Sequence, residues 1–200
     1  MDTRPPYHHG NLPQALLDAV AATIREKGVA AVGLREAARR AGVSHGAPAH
    51  HFRDKRGLLT RYAIRGYELL VAEFVRALEG ATADDPLAPL RRLGLAYVGF
   101  AVNHREYFEV MYRHELLDTS DPDFRAARDR SGLFLMDAVA RAQAAGWAPG
   151  AHPVAAALAA WSLVHGLAML WVSETLADRL ADADVMAVAR QTISVLLRMG

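Results

Sequence analysis

The stretch VSHGAPAHHFRDK, Val43 to Lys55, places His45, His50 and His51 between a turn signal at Gly42 and the basic residues Arg53 and Lys55. Imidazoles at that density serve metal ligation, base catalysis or contact with a polyanion. Ligation from one helical face needs spacings of three or four residues; here they are five and one, and adjacent residues stand about 100° apart around a helix. No pair makes a clamp, and His8 and His9 bring no carboxylate pattern to complete one, so neither a metal nor a cofactor is expected. Base catalysis would fall to His104, His114 or His165, but no nucleophile or phosphate-cradling glycine loop accompanies them, and the chain does not read as an enzyme. Contact with a nucleic acid fits better: Ser44, His45 and Gly46 fall at the start of a short helix, where base edges and phosphates are usually met.

The elements that must position these residues are legible around them. Leu16, Ala19, Val20, Thr23 and Ile24 repeat at helical spacing, opened near Asn11 with Pro13 in the first turn and closed by Gly28. LREAARRA follows from Gly33 as a short helix that ends at Gly42, a left-handed cap position. Ser44 is expected to cap a third helix, His45 to His51, with Pro48 near its first turn. Two short helices around a tight turn form a helix-turn-helix, with Ala38 small where the helices cross and Val43 beneath the turn. Asp54 caps a long helix through Glu79. Beyond Gly80 the pattern stays helical, with helices expected near 86–103, 104–116, 122–145, 151–174 and 182–199.

Composition frames this reading. With 200 residues, 52% of them apolar, the chain can build a real core. Cysteine is absent, which excludes disulfide scaffolds and thiolate chemistry and points to a reducing cytoplasm. The N-terminus shows no apolar stretch of export-signal type. The formal charge of +1 conceals a basic front, +5 over residues 1–68, and an acidic remainder at −4. Val154 to Val172 carries no formal charge over nearly a membrane span. Its alanines gain little in lipid, Ser162 and His165 interrupt it, and no lysine or arginine flanks it closely. It is expected to be a helix buried on nearly all sides against protein, not a membrane anchor.

The block YHHGNLPQALLDAVAATIREKG, with LREAARRAGVSHGAPAHHFRDKRGLL after it, resembles the N-terminal DNA-binding domain of the TetR family of transcriptional regulators over about residues 7–66. Trp161, His165 and Gly166 also resemble a C-terminal domain found in one branch of that family. The resemblance implies an all-α chain of about nine helices, divided into a three-helix helix-turn-helix domain with its arm, 1–66, and a helical effector-binding and dimerisation domain, 67–200. It assigns Ser44, His45, Gly46, Ala47, His50 and His51 to groove or phosphate contacts, Lys55 and Arg35 to the backbone or groove edge, and Arg4, His8 and His9 to an arm. Phe52 is expected to pack beneath the third helix. Arg39 and Arg40 fit either solvated surface or phosphate reach. Ala49 stands where the family usually places an aromatic, and Gly33 where Ser or Thr commonly caps.

A single helix-turn-helix makes few base contacts, so a homodimer on a pseudo-palindromic double-stranded operator is expected. The last two helices are the candidate interface, through Val188, Ile193 and Leu196, with Ala156, Ala160, Trp161, Val164, Ala168 and Trp171 at the interface or on a pocket floor. Phe74, Tyr97, Phe100, Phe108, Met111, Tyr112, Phe134 and Met136 read as core by density; the resemblance implies that some of them, with Trp161, line a cavity for a small apolar or weakly polar effector. His165 is either a satisfied core histidine or a polar anchor in that cavity. The implied function is ligand-responsive repression of transcription. The other open reading is a dimeric ligand- or partner-binding protein whose DNA specificity is weakened by Ala49.

Overall fold

In a computed structural model, residues 12–80, 85–180 and 182–199 are described. The arm residues Arg4, His8 and His9, and the expected first cap near Asn11, lie outside them. The described chain is helical: α1 Leu12–Lys27, α2 Leu34–Ala41, α3 Ala47–Phe52, α4 Lys55–Leu78, α5 Ala88–Asn103, α6 Arg105–Met111, α7 Pro122–Ala144, α8 Pro153–Val172 and α9 Val185–Met199. Short 3-10 turns occupy Val29–Ala31 and His114–Leu116. Among the described residues there is no strand.

The first three helices pack on one another through Leu16, Val20, Ile24, Ala38 and Phe52, all buried. Gly42 ends α2 at φ 67°, a left-handed conformation that glycine adopts without side-chain strain, and its N–H returns to the carbonyls of Ala38 and Arg39. Helix α3 begins two residues later than expected and Ser44 does not cap it. The Ser44 carbonyl instead accepts from Ala47 N–H at 3.0 Å, closing a turn through His45 and Gly46. Pro48 explains the difference. A helix from His45 would bring the proline ring against the Ser44 carbonyl, whereas a start at Ala47 leaves Pro48 where no intrahelical donor is needed.

Asp54 does cap α4, its carboxylate accepting from Gly57 N–H at 2.8 Å. The 24 residues of α4 run from the helix-turn-helix into the remaining helices, packing on α5, α6 and α7, and the expected 66/67 division falls inside it. Helix α5 packs on α8 and α9, and α8 also meets α7. One continuous apolar core extends from Leu16 in α1 to Ile193 in α9.

Helix α8 corrects two expectations. It is long and apolar enough to cross a membrane, yet only 33% of its most apolar window is buried in the protomer, not nearly all of it. Ala156, Ala160, Val164 and Ala168, expected at a dimer interface or a pocket floor, are buried inside the protomer, which leaves the interface to other side chains. Small residues every fourth position let α5 approach closely, so that stripe faces inward. Ile193 is likewise buried, Val188 and Leu196 pack half-buried against the core, and Trp171 is half-buried at the end of α8. The apolar side chains turned outward are Val154, Leu158, Met169 and Leu170 on α8 and Val195 on α9.

Candidate nucleic-acid interface and ligand cavity

The helix-turn-helix presents a polar rim. Arg35 on α2, Ser44, His45 and Gly46 in the turn, and His50 and His51 on α3 are exposed, whereas Ala47 is half-buried and Pro48 and Phe52 are buried beneath. Arg39 and Arg40 are engaged: both guanidiniums bond Glu36, and Arg40 also reaches Glu26 at 2.9 Å. Those arginines, through their hydrogen bonds, hold the Glu36 carboxyl far below the usual carboxylate range. Arg39 is thus paired within α2, and Arg40 joins α2 to α1. Among the described residues, Arg35 and Arg53 make no side-chain hydrogen bond or ion pair.

Arg53 was not singled out from sequence. It follows α3 at φ 60° and ψ −60°, a strained position for a non-glycine residue, in a turn closed by Asp54 N–H to the Phe52 carbonyl at 2.6 Å. No local signal marks that geometry; its position beside the capping Asp54 is the only hint. Lys55 Nζ donates to the Ala30 carbonyl at 3.0 Å, tying the start of α4 to the 3-10 turn before α2. An ammonium keeps two further donors for solvent or a phosphate. Among the described residues, no three His, Asp or Glu side chains are grouped to hold a metal ion.

Behind this rim the remaining helices border a partly open cavity of about 500 Å³ between α4, α5, α7, α8 and α9. Its wall is overwhelmingly apolar, with Leu70, Phe74, Leu93, Ala157 and Val164 among the lining side chains. Of the residues expected there, Phe74, Tyr97, Tyr112 and Trp161 line it. Phe100, Phe108 and Met111 do not: each is at most 1% exposed and filled in by neighbouring helices. Phe134 packs on the far side of Phe74, ring centroids 5.8 Å apart. His165 stands one layer back, its Nδ1 2.8 Å from the Tyr97 hydroxyl, and burial lowers its pKa. Ala160 and Val164, read as interface or pocket floor, line the cavity, and so do Ile193 and Leu196, read as interface. Tyr67 also lines it and was missed, although it lies three and seven residues before Leu70 and Phe74 on one stripe of α4. Exposed Leu133 and Met136 on α7 and Val154 and Leu158 on α8 form an apolar rim.

Helix α6 stands between rim and cavity. Tyr107 stacks on Tyr62 of α4 with centroids 4.2 Å apart, and Glu106 pairs with Arg25 of α1. One residue on, Phe108 packs against Tyr97 and His165, and Tyr112 stands 4.5 Å from the His165 ring. Gly66 of α4 has no room for a side chain there, since an added Cβ would lie 2.6 Å from Met111 Sδ. After α6, Arg56 of α4 donates to the Leu117 carbonyl at 2.8 Å, and Asp118 N–H donates to Thr60 at 2.9 Å.

A helix-turn-helix with an exposed second helix, joined through one long helix to a helical unit with an apolar cavity, is the architecture of a DNA-binding regulator class. Residues 16–62 match the family described as bacterial regulatory proteins, tetR family, and residues 90–196 match the tetracyclin repressor-like C-terminal domain. The chain belongs to the TetR family. It is 35% identical to a Rhodococcus sp. RHA1 protein of unknown function, over 98% of both chains with a TM-score of 0.82. The TetR family transcriptional regulator PfmR of Thermus thermophilus is 25% identical, covering 92% of this chain and 97% of its own at a TM-score of 0.70. The HTH-type transcriptional regulator BetI of Yersinia pestis (strain Pestoides F) is 40% identical over 83 residues, and that match spans 40% of each protein.

Proposed function

We propose that this protein is a cytoplasmic, ligand-responsive transcriptional repressor that binds a pseudo-palindromic duplex operator as a homodimer. Residues 1–66 are its DNA-binding domain and 67–200 its effector-binding and dimerisation domain. Ser44, His45, Gly46, Ala47, His50 and His51 meet the groove or its phosphates, and Arg35, Lys55 and Arg53 meet the backbone. The arm carries Arg4, His8 and His9. The outward apolar face of α8 and α9, with Leu158, Leu170 and Val195, is where a second copy packs.

The observation that carries this reading is the placement of α6, which touches the DNA-binding helices through Tyr107 and Glu106 and the cavity side through Phe108 and Tyr112. A ligand that displaces α6 changes how α4 holds the front helices, and so the spacing of two recognition helices in the dimer. It shifts the equilibrium only by its differential affinity for the two states. The test is operator titration with and without a cavity-binding compound. Weakened operator binding is expected; unchanged affinity at saturating compound contradicts the ligand-responsive part.

A further inference from the structure

At one end of the cavity the apolar wall gives way to hydroxyls. Tyr97 Oη lies 2.7 Å from Tyr112 Oη, 2.8 Å from His165 Nδ1 and 3.4 Å from Trp161 Nε1. The indole N–H can only donate, so it occupies one lone pair of Tyr97. One proton and one lone pair then remain for two neighbours. If Tyr97 donates to Tyr112, His165 carries its proton on Nδ1 and donates, and the Tyr112 proton is left over. If Tyr97 donates to a bare Nδ1, Tyr112 donates to Tyr97 and keeps only lone pairs to offer. In both arrangements Tyr97 is saturated, and the capacity that remains belongs to Tyr112, on the cavity wall; the first, with Tyr97 donating to Tyr112, is the one that leaves Tyr112 a proton for a carbonyl oxygen.

Tyr67 supplies a second, independent observation. Its side chain is 3% exposed, lines the same cavity and meets Tyr112 edge-on with centroids 6.4 Å apart. Its hydroxyl has no hydrogen-bond partner among the described residues, yet it is not sealed in like that of Tyr62. Tyr67 borders this cavity and also a groove along α4 and α7, and the groups that bear on its hydroxyl electrostatically, Tyr112, Arg128 and Asp129, all lie on the cavity wall. Burial holds both phenols protonated. A buried donor left unpaired costs free energy that an acceptor in the cavity recovers.

We propose that Tyr67 and Tyr112, backed by Tyr97, Trp161 and His165, form a subsite for the carbonyl oxygen of an uncharged, otherwise apolar ligand. A carboxylate is disfavoured because Arg128 on the wall already pairs with Asp129 at 2.8 Å, and outside the aromatic cluster the wall offers a charge only His114 and Ser131 in an otherwise apolar lining. The proposal rests on the reading of this cavity as the effector site and names the effector's chemistry.

Three isosteric probes test it by calorimetry on the full chain: benzylacetone, the hydrocarbon isopentylbenzene and the carboxylate hydrocinnamate. Benzylacetone is expected to bind about tenfold more tightly than the hydrocarbon, with the carboxylate weaker than the ketone. In the Tyr67→Phe, Tyr112→Phe double variant the ketone falls to the hydrocarbon's affinity while the hydrocarbon keeps its own, which also shows that the cavity is intact. Equal binding of ketone and hydrocarbon, a carboxylate that binds best, a ketone preference that survives in the double variant, or no binding by any probe overturns the subsite. Operator titration in parallel separates the two readings. A ketone preference lost in the variant with no effect on operator binding upholds the subsite and contradicts the ligand-responsive function. Operator release without ketone preference does the reverse.

Discussion

The ring of Tyr107 lies flat on that of Tyr62, with centroids 4.2 Å apart and planes within 8° of parallel, joining the helix beside the cavity to the helix that carries the DNA-binding domain. Tyr107→Ala is expected to destabilise the fold by about 3 kcal/mol through the lost packing. It is also expected to weaken coupling, so that a cavity-bound compound releases less operator. Tyr62→Phe removes a buried hydroxyl without a partner and is expected to leave stability unchanged or raise it by about 1 kcal/mol. Urea midpoints of the two variants check the contrast.

Gly57 lies three residues into α4, and an added Cβ would stand 2.1 Å from the Phe52 carbonyl oxygen, a backbone atom with little freedom to move. Gly57→Ala is therefore expected to cost about 3 kcal/mol and to disturb the turn that orients α3. Gly33 is the opposite case. Its backbone is extended, φ −169°, and a Cβ there meets nothing within 4 Å. Gly33→Ser supplies the missing cap of α2 and is expected to gain a few tenths of a kcal/mol. Thermal unfolding of both variants distinguishes a steric requirement from a merely tolerated glycine.

Burial holds the His165 imidazole below its ordinary value of 6.5. The unfolded chain then binds more protons than the folded one between the two values. Stability from this group is present above about pH 6.5 and is lost as pH falls through the depressed native pKa. Protonation also forces Nδ1 to donate, which removes one of the two arrangements of the Tyr97 hydroxyl. In urea unfolding between pH 5 and 7.5, roughly the imidazole range, the wild type should lose more stability on acidification than His165→Gln. Parallel curves would contradict the assignment.

Leu158 is 52% and Val195 49% exposed on the outward face of α8 and α9, whereas Ala160 is 4% exposed inside the protomer. Leu158→Asp with Val195→Glu is expected to yield a folded monomer by light scattering, with operator affinity at least about a hundredfold weaker because half of the contacts are lost. Ala160→Leu is expected to act on the fold and cavity, lowering the melting temperature without first dissociating the dimer.

Elements with strong local chemistry were legible in the sequence. The Asp54 cap, the left-handed turn at Gly42 and the apolar stripe of α1 each follow from short-range preferences. The start of α3 was not, because Ser44 satisfies a cap pattern while Pro48 four residues on vetoes the helix it would open. The facing of α8 was hidden for a different reason: alanine all round leaves no polar face to mark the outside, so the inward stripe is set by close approach to α5. The cavity wall was half legible. Aromatic side chains announce a core, but whether Phe108 or Tyr67 borders empty space depends on how five helices meet.

Sequence-specific reading of duplex DNA by the exposed turn and α3 is the activity on which the proposed function stands. The most direct measurement is selection of bound sequences from a random duplex pool by the full-length protein at physiological salt, followed by titration of the winner against His51→Ala and Arg35→Ala. The expected product is a pseudo-palindrome with half-sites about one helical turn apart, weakened about tenfold or more by each variant, with an affinity that falls steeply as salt rises. A pool that emerges without a consensus would contradict it.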